Sequence, residues 1–206
     1  MAKTQSAGEF SQWLRGAAAI LGSEKGEADV PCGSCTTCCR ASMFIHIEPE
    51  ETQTIARIPR KLLFAAPGFP TGHVLMGYNE QGHCPMFVEG KCSIYEDRPQ
   101  TCRSYDCRIY AATGVTADHE EIAERVKQWR FRYGSDEARE ERATLKRAAA
   151  FLRENRDLFP YGSLPSNPAP LAALAVQVYK LFADAKRSDA EIAEAVLSEL
   201  VVAAED

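Results

Sequence analysis

Long hydrophobic runs are missing from these 206 residues, and so is an excess of positive charge. No segment approaches the about 18 consecutive apolar residues that a membrane-spanning helix needs. Lys and Arg number 24 against 29 Asp and Glu, and the resulting net charge of −5 does not suit a surface for nucleic-acid phosphates. A secretory leader is not evident either. In "MAKTQSAGEFSQWLRGAAAILG" charges interrupt the apolar residues, while Phe10, Trp13, Leu14, Ala17, Ala18 and Leu21 recur at helical spacing. That spacing predicts a short amphipathic helix packed on the body. The expectation is a cytoplasmic protein with neither nucleic acid nor membrane as partner.

Several signatures of catalysis are missing too. There is no G-x-G-x-x-G after a strand, no G-x-x-x-x-G-K-[ST], no H-E-x-x-H and no G-x-S-x-G. A nucleotide or S-adenosylmethionine site on a Rossmann turn therefore has no support. The C-x3-C-x2-C loop of radical S-adenosylmethionine enzymes is not matched.

Cysteine, by contrast, is concentrated. All eight lie between Cys32 and Cys107, and none follows. They are spaced Cys32-x2-Cys35-x2-Cys38-Cys39, then, after a long gap, Cys84-x7-Cys92-x9-Cys102-x4-Cys107. In a reducing cytoplasm such a set reads as metal ligands before disulfides. The adjacent Cys38 and Cys39 would also strain the backbone if bridged to each other.

A C-x2-C step turns two sulfurs toward one centre, a geometry shared by zinc knuckles and iron–sulfur loops. Two consecutive x2 steps bring three thiolates toward three corners of a cubane, with a fourth from elsewhere. Gly33 relieves crowding, and Ser34, Thr36 and Thr37 can offer hydrogen bonds to sulfur. Side chains of successive residues diverge, so Cys38 and Cys39 do not suit one tetrahedral ion. Either eight thiolates serve two four-ligand centres with the adjacent pair facing different ones, or one cluster takes four and the rest form a second site. In both cases the late cysteines must return to the early loop, and metal binding orders a region poor in apolar residues.

"CGSCTTCC" followed by "CPMFVEGKCSIYEDRPQTCRSYDC" resembles the YkgJ-type cysteine-cluster family of zinc- or iron-chelating CxxCxxCC domains. The match runs from about Pro31 to Arg108. It includes the four-cysteine opening, the Cys-Pro start of the second block, and the C-x-I-Y-x-x-R-P-x-x-C-R core. Flagellin lysine N-methylases carry a similar cluster and are regarded as iron–sulfur proteins. The resemblance implies a metal or iron–sulfur site, not a reaction.

The rest of the chain gives an α+β fold class: a small, irregular, metal-stapled region with short strands, then a mainly helical C-terminal region. The expected divisions are 1–28 (N-terminal helix and linker), 29–115 (cysteine-cluster domain) and 116–206 (helical region packing on it). A strand is expected from Met43 to Ile47, and a short helix over "EETQTIARI". "PRKLLFAAPGFPTG", broken by Pro59, Pro67 and Pro70, is expected as loop with Leu62, Leu63 and Phe64 docking. A meander of short strands should follow through "HVLMGY", "CPMFV" and "CSIY". Ile122, Val126, Trp129 and Tyr133 read as one helical stripe, with Glu121 and Arg125 pairing on the opposite face and Gly134 ending the helix. Ser135 should cap the next helix, whose stripe is Leu145, Ala148, Ala149 and Leu152. After the connector "FPYGSLPSNPAP" come an apolar helix over Leu171–Ala183 and a last one over Asp189–Ala203, with Ser188 and Glu191 as a capping box.

Among the other residues, Arg98 or Arg103 can offset thiolate charge or donate to a cluster sulfide. Alternatively, Arg98 pairs with Asp97 or Asp106. Tyr95 and Tyr105 read as walls around the metal and Trp129 as core packing; His83, beside Cys84, could replace a thiolate, but with eight cysteines available it is not expected to. His46 is expected on the outward face of its strand. His73 and His119 carry no convergent signal, and Glu120, Glu121, Glu140 and Glu141 read as solvated helix faces.

The metal ligands expected are thus Cys32, Cys35, Cys38, Cys39, Cys84, Cys92, Cys102 and Cys107. The cofactor is an iron–sulfur cluster, [4Fe-4S] in type, or zinc. The partners are metal ions, with a protein redox partner if the centre is iron–sulfur. Three functions compete: a redox iron–sulfur protein, a zinc-stapled interaction module, and a protein-modifying enzyme such as a lysine N-methylase.

Overall fold

The computed structural model describes residues 4–22 and 26–205. In chain order the elements begin with β1 (Gln5–Glu9), α1 (Phe10–Leu21), the one-turn α2 (Thr37–Arg40), β2 (Ile45–Ile47) and α3 (Thr52–Arg57). Then come β3 (Leu63–Ala65), β4 (Val74–Met76), β5 (Phe87–Val88), β6 (Lys91–Cys92), α4 (Gln100–Ser104) and α5 (Arg108–Thr113). The C-terminal part holds α6 (Glu120–Val126), β7 (Trp129–Arg132), α7 (Asp136–Glu154), α8 (Pro168–Val178) and α9 (Asp189–Glu205). Short strands and a helical C-terminal region make the fold α+β, as the sequence predicts. Residues 23–25 of the expected linker lie outside the described residues.

The amphipathic N-terminal helix forms as its spacing predicts. Phe10, Trp13 and Leu14 are buried, and Ala17, Ala18 and Leu21 pack at the core's edge. Its first turn is capped by the Glu9 carboxylate, which accepts from the Gln12 amide at 2.7 Å. Ahead of it, β1 pairs in parallel with β7, joining Gln5 to Trp129 and Glu9 to Arg132. This pairing corrects the expected helical stripe. α6 ends at Val126, and Trp129 opens a strand rather than continuing the helix. Within "WRFR", Trp129 and Phe131 turn inward while Arg130 and Arg132 face solvent, a period of two hidden inside a spacing that also fits a helix. Arg125 does not turn to Glu121. It donates to Gln128 Oε1 at 2.9 Å and to Gln5 Oε1.

β2, β4 and β3 form an antiparallel sheet in that order, with Ile45, Met76 and Leu63 in register. Leu63–Ala65 is therefore strand, not loop: Pro59 and Pro67 bracket it without interrupting its ladder. The expected meander is two units, because β5 and β6 form a separate hairpin. Ile45, Ile47, Ile58, Met76, Met86 and Ile94 make a small core under this sheet, against which Cys84, Cys92 and Cys102 pack.

The larger core joins α1, α5, α6, α7, α8 and α9. Ser135 caps α7 by accepting from the Ala138 amide, and Leu145, Ala148, Ala149 and Leu152 are its buried stripe. The apolar helix starts at Pro168, suited to a first turn that has no amide partner, and tightens to a 3-10 turn over Tyr179–Phe182. Ser188 and Glu191 form the expected reciprocal cap, at 2.8 and 3.4 Å.

Candidate metal centres

The chain before the first cysteine is fastened from three sides. The Ala28 amide donates to the Arg103 carbonyl at 2.9 Å. Arg108 Nη2 donates to the Asp29 carbonyl at 2.8 Å, and Gln5 Nε2 donates to the Pro31 carbonyl. Inside the loop Gly33 adopts φ 56°, a left-handed conformation that a side chain would resist. The Cys35 amide can then turn back onto the Cys32 carbonyl at 3.0 Å, the tight step that the C-x2-C spacing needs. Cys38 and Cys39 lie within α2. The Cys84 amide donates to the Cys39 carbonyl at 2.8 Å, so the early and late cysteine segments meet backbone to backbone. Cys92 ends β6, Cys102 lies in α4, and Cys107 precedes α5. All eight are free thiols, Cys38 exposed and the other seven half-buried.

Their mutual influence divides them into two neighbourhoods. Burial raises the Cys32 thiol, the charges of Cys35 and Cys38 raise it further, and Arg125 opposes. Burial pushes Cys107 up to about 12 against a hydrogen bond from Trp129, with Asp106, Cys32 and Cys35 adding to the rise. On the other side, burial pushes Cys102 up to about 12, helped by Cys38, Cys84 and Cys92 and opposed by Arg98. Burial also raises Cys84, with Cys92 and Cys38 contributing. The adjacent pair is hydrogen-bonded. That bond holds Cys38 down and Cys39 up, and Cys84 and Cys92 act on Cys39 as well. Cys32, Cys35 and Cys107 thus form one group, Cys39, Cys84, Cys92 and Cys102 another, and Cys38 borders both.

Among the described residues, no three His, Cys, Asp or Glu side chains stand close enough to hold a metal ion as placed. The donor chemistry nevertheless fits a bound cation. Clustered buried thiolates repel one another, and a cation removes that cost by replacing their protons. The surrounding hydrogen-bond donors fit it too. Trp129 Nε1 donates to Cys107 Sγ at 3.2 Å, while the Cys35 thiol donates to Thr37 Oγ1 at 3.2 Å, the reverse of the bond expected from Thr37. Arg125 Nε and the Tyr105 hydroxyl are buried without a partner. Arg125 lines the same groove as Cys32, so electron-rich sulfur there would supply the acceptor its Nε lacks, whereas the polar group beside the Tyr105 hydroxyl is that of Tyr110.

Behind Cys107 lies a buried ion pair. Arg108 donates to both Asp106 oxygens, at 2.7–3.0 Å, and Trp13 Nε1 donates to Asp106 Oδ2 at 2.8 Å. Asp106 is therefore not a partner of Arg98, and Asp97 is taken by Arg57 at 2.8 Å. Arg98 instead stacks over the Tyr95 ring at 4.3 Å and donates to the Tyr95 carbonyl. Arg103 turns to the Arg98 carbonyl and to Glu27. Tyr95 is 59% exposed and so is not a wall, whereas Tyr105 is half-buried. His83 packs its ring edge-on against Phe87. His46 bonds His73 at 2.9 Å and stacks on Phe69, a pairing that no spacing announced.

An open groove of about 810 Å³ runs along the first neighbourhood. Cys32, Cys35 and Thr37 line one side, and Arg125, Gln128 and Glu124 the other. Sequence reasoning missed the roles of Trp129 and Arg125 toward sulfur. Trp129 faces Cys107 only because β1 draws β7 into parallel register.

Residues 31–128 match the family model described as "CxxCxxCC: Putative zinc- or iron-chelating domain". The match covers 98 of the 206 residues, supports metal binding by this segment, and ends one residue before Trp129. None of the curated proteins and none of the solved structures compared matches the chain. Among the described residues no helix is long and apolar enough to cross a membrane.

Proposed function

We propose that this chain holds metal at two four-cysteine centres, Cys32–Cys35–Cys38–Cys107 and Cys39–Cys84–Cys92–Cys102, and serves cytoplasmic redox chemistry as an iron–sulfur protein. The observation that supports it is that the cysteines sit in two surroundings: Cys32 and Cys35 line the groove and Cys107 takes the Trp129 indole bond, whereas Cys84, Cys92 and Cys102 pack against the small core and the Cys84 amide donates to the Cys39 carbonyl. Iron–sulfur chemistry is favoured by the C-x2-C-x2-C loop, whose first step is tightened at Gly33, with a fourth sulfur from a distant segment. Bound there, a cluster would supply one-electron redox chemistry. The chain's own residues position its sulfurs: Trp129 holds Cys107, Thr37 holds Cys35, and the Asp106–Arg108 pair anchors the segment that carries Cys107. A protein redox partner is part of this reading.

Zinc at the second centre is a further reading, because its cysteines pack against Ile45, Ile47, Met76 and Ile94 like a closed structural site. Purification without oxygen, with metal and acid-labile sulfide measured, tests both. Iron with labile sulfide is expected. A colourless protein with two zinc ions and no sulfide would overturn the iron–sulfur reading.

A further inference from the structure

The two sets of cysteines meet different surroundings. The first faces an open groove, and side-chain donors gather on its sulfurs. The Trp129 indole N–H donates to Cys107, and Arg125, whose buried Nε has no partner, lines the groove with Cys32. Arg125 is itself held in place by Gln128, Gln5 and the Trp129 ring, 4.5 Å from its guanidinium. The second set is wrapped in aliphatic side chains, with Cys84 served by the Met86 and Phe87 amides and Arg98 near Cys102. Hydrogen bonds to cluster sulfur favour the reduced state and raise the potential, whereas apolar enclosure resists added charge.

We propose that the two sets do different work. Trp129 and Arg125 tune the Cys32–Cys35–Cys38–Cys107 centre for electron exchange at the groove, and the Cys39–Cys84–Cys92–Cys102 centre is structural. Exchange here means one electron accepted from a one-electron reductant, such as a reduced flavoprotein or ferredoxin-type carrier, and passed to a one-electron oxidant, such as an oxidised carrier of the same class, with no bond made or broken. This inference rests on the iron–sulfur reading above.

The test is a dithionite titration of the anaerobically purified protein, followed by electron paramagnetic resonance. Trp129→Phe keeps an aromatic ring and removes one donor, Arg125→Gln removes the other, and circular dichroism confirms the fold of each. Both should lower the midpoint potential of the signal that Cys35→Ser abolishes, at unchanged iron content. Unmoved potentials, equal shifts of two signals, or a shift confined to the signal that Cys92→Ser abolishes would overturn the division of work while leaving an iron–sulfur protein. Absence of iron and sulfide would instead remove the reading beneath it. Two variants keep the outcome decisive if one of them fails to fold.

Discussion

The helical half and the sheet half of this molecule are held by different means. In the first, buried residues from six helices form one continuous core, from Phe10 through Leu145 and Leu152 to Val196. In the second, six buried apolar side chains form a small core at three short strands, and three cysteines pack against it beside Met43, Ile55, Leu62, Leu63 and Val74. So few apolar groups cannot offset the entropy of ordering the long loops between Ala41 and Arg108. Where side chains are too few, cross-links must substitute, and the cysteines are the groups available.

Removing a late cysteine should separate the halves most. Structural thiolate sites contribute about 10–16 kcal/mol in zinc-finger peptides, comparable to a whole domain's stability of about 5–15 kcal/mol. Cys102→Ala, or exhaustive chelation, should therefore expose the amides of β2, β3 and β4 to rapid hydrogen exchange while α7 and α8 stay protected. Unchanged protection in the sheet would break the comparison. Arg108→Ala comes next, because it strands buried Asp106 and abandons the Ala7 and Asp29 carbonyls at the seam of the halves. A loss of about 3–5 kcal/mol is expected in urea denaturation, together with weaker metal retention. Leu152→Ala, in the helical core alone, should cost about 2–5 kcal/mol with metal content unchanged. A drop in metal content would show that the halves are more tightly coupled than their cores suggest. Ser188→Ala should cost only about 1 kcal/mol, read as a small fall in melting temperature, because it removes one side of the last helix's cap.

The same contrast governs what could be read before the coordinates. Helical elements with a wide apolar stripe or a cap were legible: α1 from Phe10, Trp13 and Leu14, α7 from Ser135, α9 from Ser188 and Glu191. β1 was not, since "QSAGE" has no alternating apolar face and pairs through its backbone. β7 was hidden because Ile122, Val126, Trp129 and Tyr133 satisfy a helical period while "WRFR" satisfies a strand's. β3 was masked by flanking prolines. The clustering of cysteines between Cys32 and Cys107 was plain, but their neighbourhoods were not. Which sulfur meets which depends on long-range fastenings, such as the Cys84 amide on the Cys39 carbonyl, that leave no local pattern. The Trp129 contact with Cys107 is of the same kind, and so is the Asp106–Arg108–Trp13 network.

The parallel pairing of β1 with β7 also has a meaning in time. Ser6 finds its partner only at Arg130, so on the ribosome the first strand must wait for its mate. At about 5–20 residues per second the delay is on the order of ten seconds. Only in its last stretch, between Cys107 and Trp129, has every thiol been synthesised while the Trp129 donor and the strand that clasps the N-terminus are still to come. The thiols of the nascent chain are then exposed before the indole that donates to Cys107 exists.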